Sequence, residues 1–198
     1  WAVAFVMLLS FIVLQLPAAW ILARVMPSNP YLDNVSGNIW QGQADWQRGQ
    51  LRGSVHWKTR PLDLLLFRLG ANLDIHSGNT QLNGVLGYGV GQKITVKNLQ
   101  GEISPETLKY FANWQWPANA IQLNDVQFNY QKEKGFAAAE GQLHWGGGAL
   151  AYTFGQRQDR MNMPSLMAEI KDENGQLRID VRDQRSQKMA NLSLDANF

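Results

Sequence analysis

The sequence predicts an all-β domain behind one N-terminal transmembrane helix. Three observations predict it. Residues 1–23 carry no charged side chain. Most of the remaining chain alternates apolar and polar residues with period two, and clusters of Gly, Asn, Ser and Asp punctuate that alternation at turn-like intervals. The expected organisation is a transmembrane anchor over residues 1–24, a linker over 25–33 and a β domain over 34–198. The β domain reads as about ten mainly antiparallel strands in a curved, groove-like or half-barrel sheet with two short capping helices.

The anchor follows from length and composition. Rising about 1.5 Å per residue, a helix over residues 1–23 spans about 35 Å, enough to cross a hydrocarbon core of roughly 30 Å. Twelve of its residues are Val, Ile, Leu or Phe; at roughly 0.3–0.6 kcal/mol each they favour insertion by about 4–7 kcal/mol. Pro17 is tolerated in such a helix as a kink. A cleaved secretory signal is the alternative, but its apolar region would be shorter and would end at its small residues. Here Pro17-Ala18-Ala19-Trp20 leads into further apolar sequence. A native chain is not expected to begin with Trp, so residues ahead of Trp1 are expected. Arg24 is the one basic residue before Arg48 on the far side, which places the N-terminus in the cytoplasm and the C-terminal domain outside.

Pro27-Ser28-Asn29-Pro30 gives a stiff, non-helical exit. Alternation begins at residues 50–57, with Leu51, Val55 and Trp57 on one face, and continues through residues 72–76 and 93–99. Over residues 120–130 a regular strand would put Ile121 and Leu123 on one face and Val126, Phe128 and Tyr130 on the other. The switch near Asn124-Asp125 therefore predicts a bulge or turn. Residues 176–181 and 190–194 close the series, with turn signals at Ser77-Gly78-Asn79 and Glu173-Asn174-Gly175. Two helices interrupt the strands. One starts at Arg60-Pro61 and is apolar after Asp63. The other starts at Ser104-Pro105-Glu106, with Ser as N-cap, Pro at the first helical position and an acid in the first turn. Leu108, Phe111 and Trp114 are expected to plug the open end of the sheet. A weak echo runs from Gly through an aliphatic residue to Trp at Gly37–Trp40, Gly53–Trp57 and Gly141–Trp145; in the last two, His56 and His144 point to the opposite face.

Composition excludes several function classes. Eighteen Lys and Arg against sixteen Asp and Glu, with no basic stripe, argue against nucleic acid as a partner. The absence of cysteine removes disulfides and thiolate metal sites. His56, His76 and His144 stand singly on alternating strands, without His-x-x-x-His spacing. Asp74 and His76 share a face, yet Ser77 lacks the strained turn of a nucleophile. Gly87-Tyr88-Gly89-Val90-Gly91 lacks the Gly-Lys-Ser/Thr ending of a phosphate loop and reads as a hairpin turn, as does Gly146-Gly147-Gly148. No catalytic residue, cofactor site or metal site is expected, and the chain is read as a non-enzyme. The candidate groove or partner surface is Leu51, Val55, Trp57, Leu143 and Trp145 on strands, with Trp114 and Trp116 on an exposed aromatic segment.

Several stretches together carry a family resemblance. They are the span ending Leu16-Pro17-Ala18-Ala19, Val35-Ser36-Gly37-Asn38-Ile39-Trp40-Gln41-Gly42-Gln43-Ala44, Val55-His56-Trp57-Lys58-Thr59-Arg60-Pro61, and Leu99-Gln100-Gly101-Glu102-Ile103. The chain resembles protein N of the bacterial type II secretion system, from the span to about residue 150. The matching stretches are structural signatures, so they point to no reactive residue. The resemblance implies a single-pass inner-membrane protein with a periplasmic domain, an accessory subunit of the apparatus that carries folded proteins across the outer membrane. Its implied partners are other inner-membrane secretion subunits and the outer-membrane secretin. It also implies further residues beyond Phe198. The family is more distantly similar to AsmA-like envelope proteins, whose sheets curl into an apolar groove; that makes lipid binding or transfer the alternative function.

Overall fold

The computed structural model describes residues 1–198 except 2, 6, 8–10, 12–14, 26–28, 66, 113, 155–156 and 196–198. Among the described residues there are thirteen strands, three more than the alternation predicts. Eleven form one antiparallel sheet: β1 (Leu32–Gly37), β2 (Gln41–Arg48), β3 (Leu51–Thr59), β4 (Arg68–Ser77), β5 (Thr80–Gly89), β6 (Lys93–Ile103), β7 (Ile121–Gln131), β8 (Gly135–Trp145), β11 (Leu166–Glu173), β12 (Gln176–Asp183) and β13 (Lys188–Leu194). They lie side by side in chain order, broken once, between β8 and β11, by a separate hairpin of β9 (Gly148–Phe154) and β10 (Arg157–Met163). The sheet is open, with β1 and β13 as its edges.

Register turns the alternation into two unlike faces. Ala44, Val55, Ile75, Leu82, Gly101, Leu123, Leu143, Ala168, Val181 and Ala190 are successive cross-strand partners from β2 to β13. This row, apolar or glycine throughout, must lie on one face, because cross-strand partners share a face. The residues between are polar: His56 lies opposite Asp74, and Glu169 lies opposite both Gln142 and Asp180.

Among the described residues the strands outside this sheet are those of the β9–β10 hairpin. Apart from β8 and β12, both neighbours of β11, no pair of non-adjacent strands makes substantial contact among the described residues. The accessible surface is 13881 Å² for a chain of 22.3 kDa, against the roughly 9,400 Å² of a compact monomer of that mass. Burial concentrates where the sheet bends. Asn98, Asp125 and Ala138 take positive φ of 51°, 47° and 50° beside register shifts in β6, β7 and β8. Each inserts a residue and sharpens the local twist. The bulge at Asp125 is the one the face switch predicts, and it returns Val126 to the side of Leu123. Both join Phe136, Ala139, Ile170 and Leu177 in the core, with Phe128 and Tyr130 packed against Phe136 at ring distances of 5.8 and 5.0 Å.

The two short helices do different jobs, which corrects the expectation that both cap the sheet. Pro105–Phe111 is a cap: Ser104 Oγ accepts from Thr107 N–H, and buried Thr80, on β5, accepts from Ser104 N–H at 2.8 Å. Leu108 is buried beneath it. Phe111, expected in the plug, is instead 80% exposed. Pro61–Leu64 packs beside β4 on the polar side of the sheet.

Near the N-terminus, Phe5 N–H donates to Trp1 O and Gln15 N–H to Phe11 O, and Ala18–Val25 is helical. No helix among the described residues is long and apolar enough to cross a membrane. The span expected over residues 1–24 and the exit at Pro27-Ser28 fall in part on residues outside those described.

Candidate functional site

Antiparallel topology sorts the connections to two ends of the sheet. The near end holds residues 38–40, the 60–67 connection and the turns at 90–92, 132–134 and 174–175. The N-terminal segment meets this end, through the bridge of Pro17 with Asn38 and the bond from Ile39 N–H to Leu16 O at 3.2 Å. The far end holds residues 104–120, the β9–β10 hairpin and the turn at 184–187.

Five of the candidate residues lie on the apolar face, in two groups. Leu51, Val55 and Trp57 lie on β3; Leu143 and Trp145 lie on β8. Val55 and Leu143 share a row but are five strand spacings apart, about 24 Å along the sheet. They are therefore two regions of one broad surface. The last two members of the Gly–aliphatic–Trp echo have a geometric counterpart, since their indoles are fixed by their N–H groups. Trp57 Nε1 donates to Asn38 O and Trp145 Nε1 to Asn119 O, both at 3.1 Å.

The far end of the apolar face is plugged by aromatics. Trp116 lies edge-on to Trp145 at 5.9 Å and tilted against Trp114 at 5.4 Å, while Trp114 reaches Tyr152 of β9 at 6.2 Å. Gln115 and Ala151 exchange both backbone hydrogen bonds, tying this segment to the hairpin. Trp145 is buried by the stack; Trp114, at its outer edge, remains 40% exposed. Of the exposed aromatic segment the sequence predicts, Trp114 is thus the outward part and Trp116 the inward part. Asn113 lies outside the described residues.

The near end is built in the opposite sense. Asp63, inside the apolar 60–67 connection, is buried and receives two hydrogen bonds from Arg68, at 2.7 and 3.1 Å, with Arg60 3.6 Å away. The carboxylate lies over Gly70, where any Cβ would collide with Asp63 Oδ2. With the acid turned in, Leu62, Leu65 and Phe67 turn out, and Val90 stands beside them, because Arg68 pairs with Gly89 across β4 and β5. This clasp is absent from the sequence-based candidates. A lone Asp between two arginines in an otherwise apolar run was the available signal.

The polar face brings His56 and His76 together, ring centroids 6.1 Å apart, so these two do not stand singly as the sequence suggests. His144 Nε2 lies 3.3 Å from Ser165 Oγ, in a shallow depression of 390 Å³ between β8, β11 and β12. Among the described residues no group of three His, Asp or Glu side chains converges as a metal site would.

An open eleven-stranded antiparallel sheet with one apolar face, plugged at one end by aromatics, defines an all-β protein built to bind through a surface. The profile of the family described as "Type II secretion system (T2SS), protein N" matches residues 31–198. The chain belongs to that family and is a component of the type II secretion system. Comparison with curated proteins and with solved structures returned no match.

Proposed function

We propose that this secretion component is a non-enzymatic accessory or assembly subunit of the inner membrane. In this reading residues 1–24 form a single span, the N-terminus is cytoplasmic and the β domain lies in the periplasm. The observation that carries it is the large apolar face of the open sheet, bounded by two strand edges. Such a surface binds by complementarity, and an unpaired edge is a template for strand addition. The partners are other inner-membrane secretion subunits and, at the far side of the periplasm, the secretin. Photo-cross-linking in cells from positions Trp114 and Trp116 tests the reading. An adduct with a secretion subunit is the expected result, and adducts lacking every secretion subunit overturn it.

A second reading is favoured by a specific observation. On β4 and β5 the apolar face carries Leu69, Leu86 and Tyr88 exposed, with Leu73, Ile75 and Leu82 half-buried. Among the described residues this part of the trough keeps its apolar side chains at least partly open. It suits acyl chains, as a lipid-binding or lipid-transfer module requires. Mass spectrometry of the chain purified in mild detergent should then show co-purifying phospholipid, and a lipid-free preparation counts against it.

A further inference from the structure

The apolar residues of the near end are exposed by construction. Folding alone would turn leucines inward and an aspartate outward, since burying a carboxylate is costly unless it is paired. The 60–67 connection does the reverse. Asp63 is buried and clasped by Arg68 over Gly70, while Leu62, Leu65 and Phe67 are 75%, 76% and 81% exposed. Val90, at the tip of the adjoining hairpin, is 80% exposed. Phe67 and Val90 flank the paired Arg68 and Gly89, and with Leu62 and Leu65 of the same connection they make the near end an exposed apolar rim.

Two further observations say what covers it. The first is continuity: the N-terminal apolar segment reaches the same end, through Pro17 with Asn38 and Leu16 with Ile39. Trp20 is exposed there with the Arg24 guanidinium 5.9 Å from its ring, an aromatic–cation pair suited to a membrane interface. The second is charge. Lys58, Arg60, Lys93, Lys132 and Lys134 are all exposed at this end, against the exposed acids Glu133, Asp172 and Glu173, the last paired with Arg178, and Asp63, which is internally paired. Apolar side chains ringed by cations match a leaflet with anionic headgroups, where side chains enter about 5–10 Å and each nearby cation adds attraction.

We infer that the Leu62–Leu65–Phe67–Val90 rim docks into the surface of an anionic lipid bilayer as a second membrane contact beside the N-terminal segment. Two contacts fix the tilt of the sheet where one anchor would leave it free to swing. They also set the near end of the sheet against the leaflet. The inference rests on the membrane-anchored reading above, and the following experiment separates the two.

The chain has no cysteine, so single substitutions can carry an environment-sensitive fluorophore without background labelling. Full-length chain carrying V3C, L65C, V90C or M161C is reconstituted in vesicles of phosphatidylglycerol and phosphatidylethanolamine with nitroxide-labelled lipid. Met161, on β10, is the exposed far-end control. Expected are blue-shifted emission and loss of intensity to the nitroxide at positions 65 and 90, with position 161 unchanged. Replacing phosphatidylglycerol by phosphatidylcholine should weaken the effect at 65 and 90. Positions 65 and 90 behaving like 161 while position 3 is quenched overturns the docking and leaves the anchor standing. Quenching at 65 and 90 without quenching at 3 sustains the docking and overturns the anchor. Absence of quenching at all three overturns both.

Discussion

The two ends of the sheet expose apolar residues for opposite reasons. At the far end Trp114, Trp116, Trp145 and Tyr152 stack in a chain, and the indole N–H groups of Trp116 and Trp145 donate to backbone, at Ala112 O and Asn119 O. What remains exposed is the fringe of a packed cluster. At the near end the packed group is a carboxylate, and the leucines and phenylalanine are what is left outside. Exposure of a large apolar side chain is therefore informative only with its neighbours. Phe111 and Phe67 are almost equally exposed, yet one ends the short Ser104-capped helix and the other is turned out by a salt-bridged clasp.

The largest contrast is in stability. Trp145→Ala removes the ring on which the far-end stack rests and leaves Asn119 O without its donor. A cost of about 3–5 kcal/mol is expected, a fall in Tm of order 10 °C in detergent-solubilised protein. Leu65→Ser and Phe67→Ser at the near end should stay within about 0.5 kcal/mol of the parent. Equal losses at the two ends in a thermal melt would erase the distinction.

Gly70→Ala tests whether the near-end clasp is as rigid as its geometry suggests. Its Cβ would meet the Asp63 carboxylate and the backbone around it, so the loop must shift or the Arg68–Asp63 pair must part. A loss of about 1–3 kcal/mol is expected, with increased amide exchange confined to residues near 60–70. Ser104→Ala should cost the far end less, about 1 kcal/mol, through the N-cap and its link to Thr80. Amide exchange across residues 105–112 reads it, and an effect reaching the 60–67 connection would show that the two ends are coupled.

These ends were not equally legible in the sequence. Period two gives the apolar face directly, and the face switch near Asn124-Asp125, which predicts a bulge or turn, is met by the bulge at Asp125. The helix start at Ser104-Pro105 is equally plain. Strand β10 escapes the alternation because Arg157–Met163 is exposed at nearly every position, and β9 because its buried Leu150 and Ala151 are consecutive. Whether the apolar face is covered was also unreadable. Coverage depends on the bend that Asn98, Asp125 and Ala138 make together, and only strand pairing aligns those three. The Asp63 clasp needs Arg68 and Gly70 brought under one carboxylate by the turn into β4, which spacing along the chain does not reveal.

The smallest expected difference is in pH response. The carboxyl of Glu106, in the first turn of Pro105–Phe111, is held below the usual glutamate value, first by its own backbone N–H, then by the Ser104 hydroxyl and the nearby Lys109. A lowered value means that the ionised form is favoured by the fold. Its contribution is complete above pH 4.5, the ordinary glutamate value, and is lost as pH falls through the lowered one. The group is exposed, so solvent and salt screen most of the effect. Acidification below that value should loosen the helix and, through it, the indole stack, seen as a red shift of tryptophan emission that high salt diminishes. Glu106→Gln should remove that acid-dependent component while leaving the neutral-pH spectrum close to the parent. An unchanged acid transition in Glu106→Gln would mean that the far end is held by its rings and hydroxyls alone, with no part played by charge at the helix start.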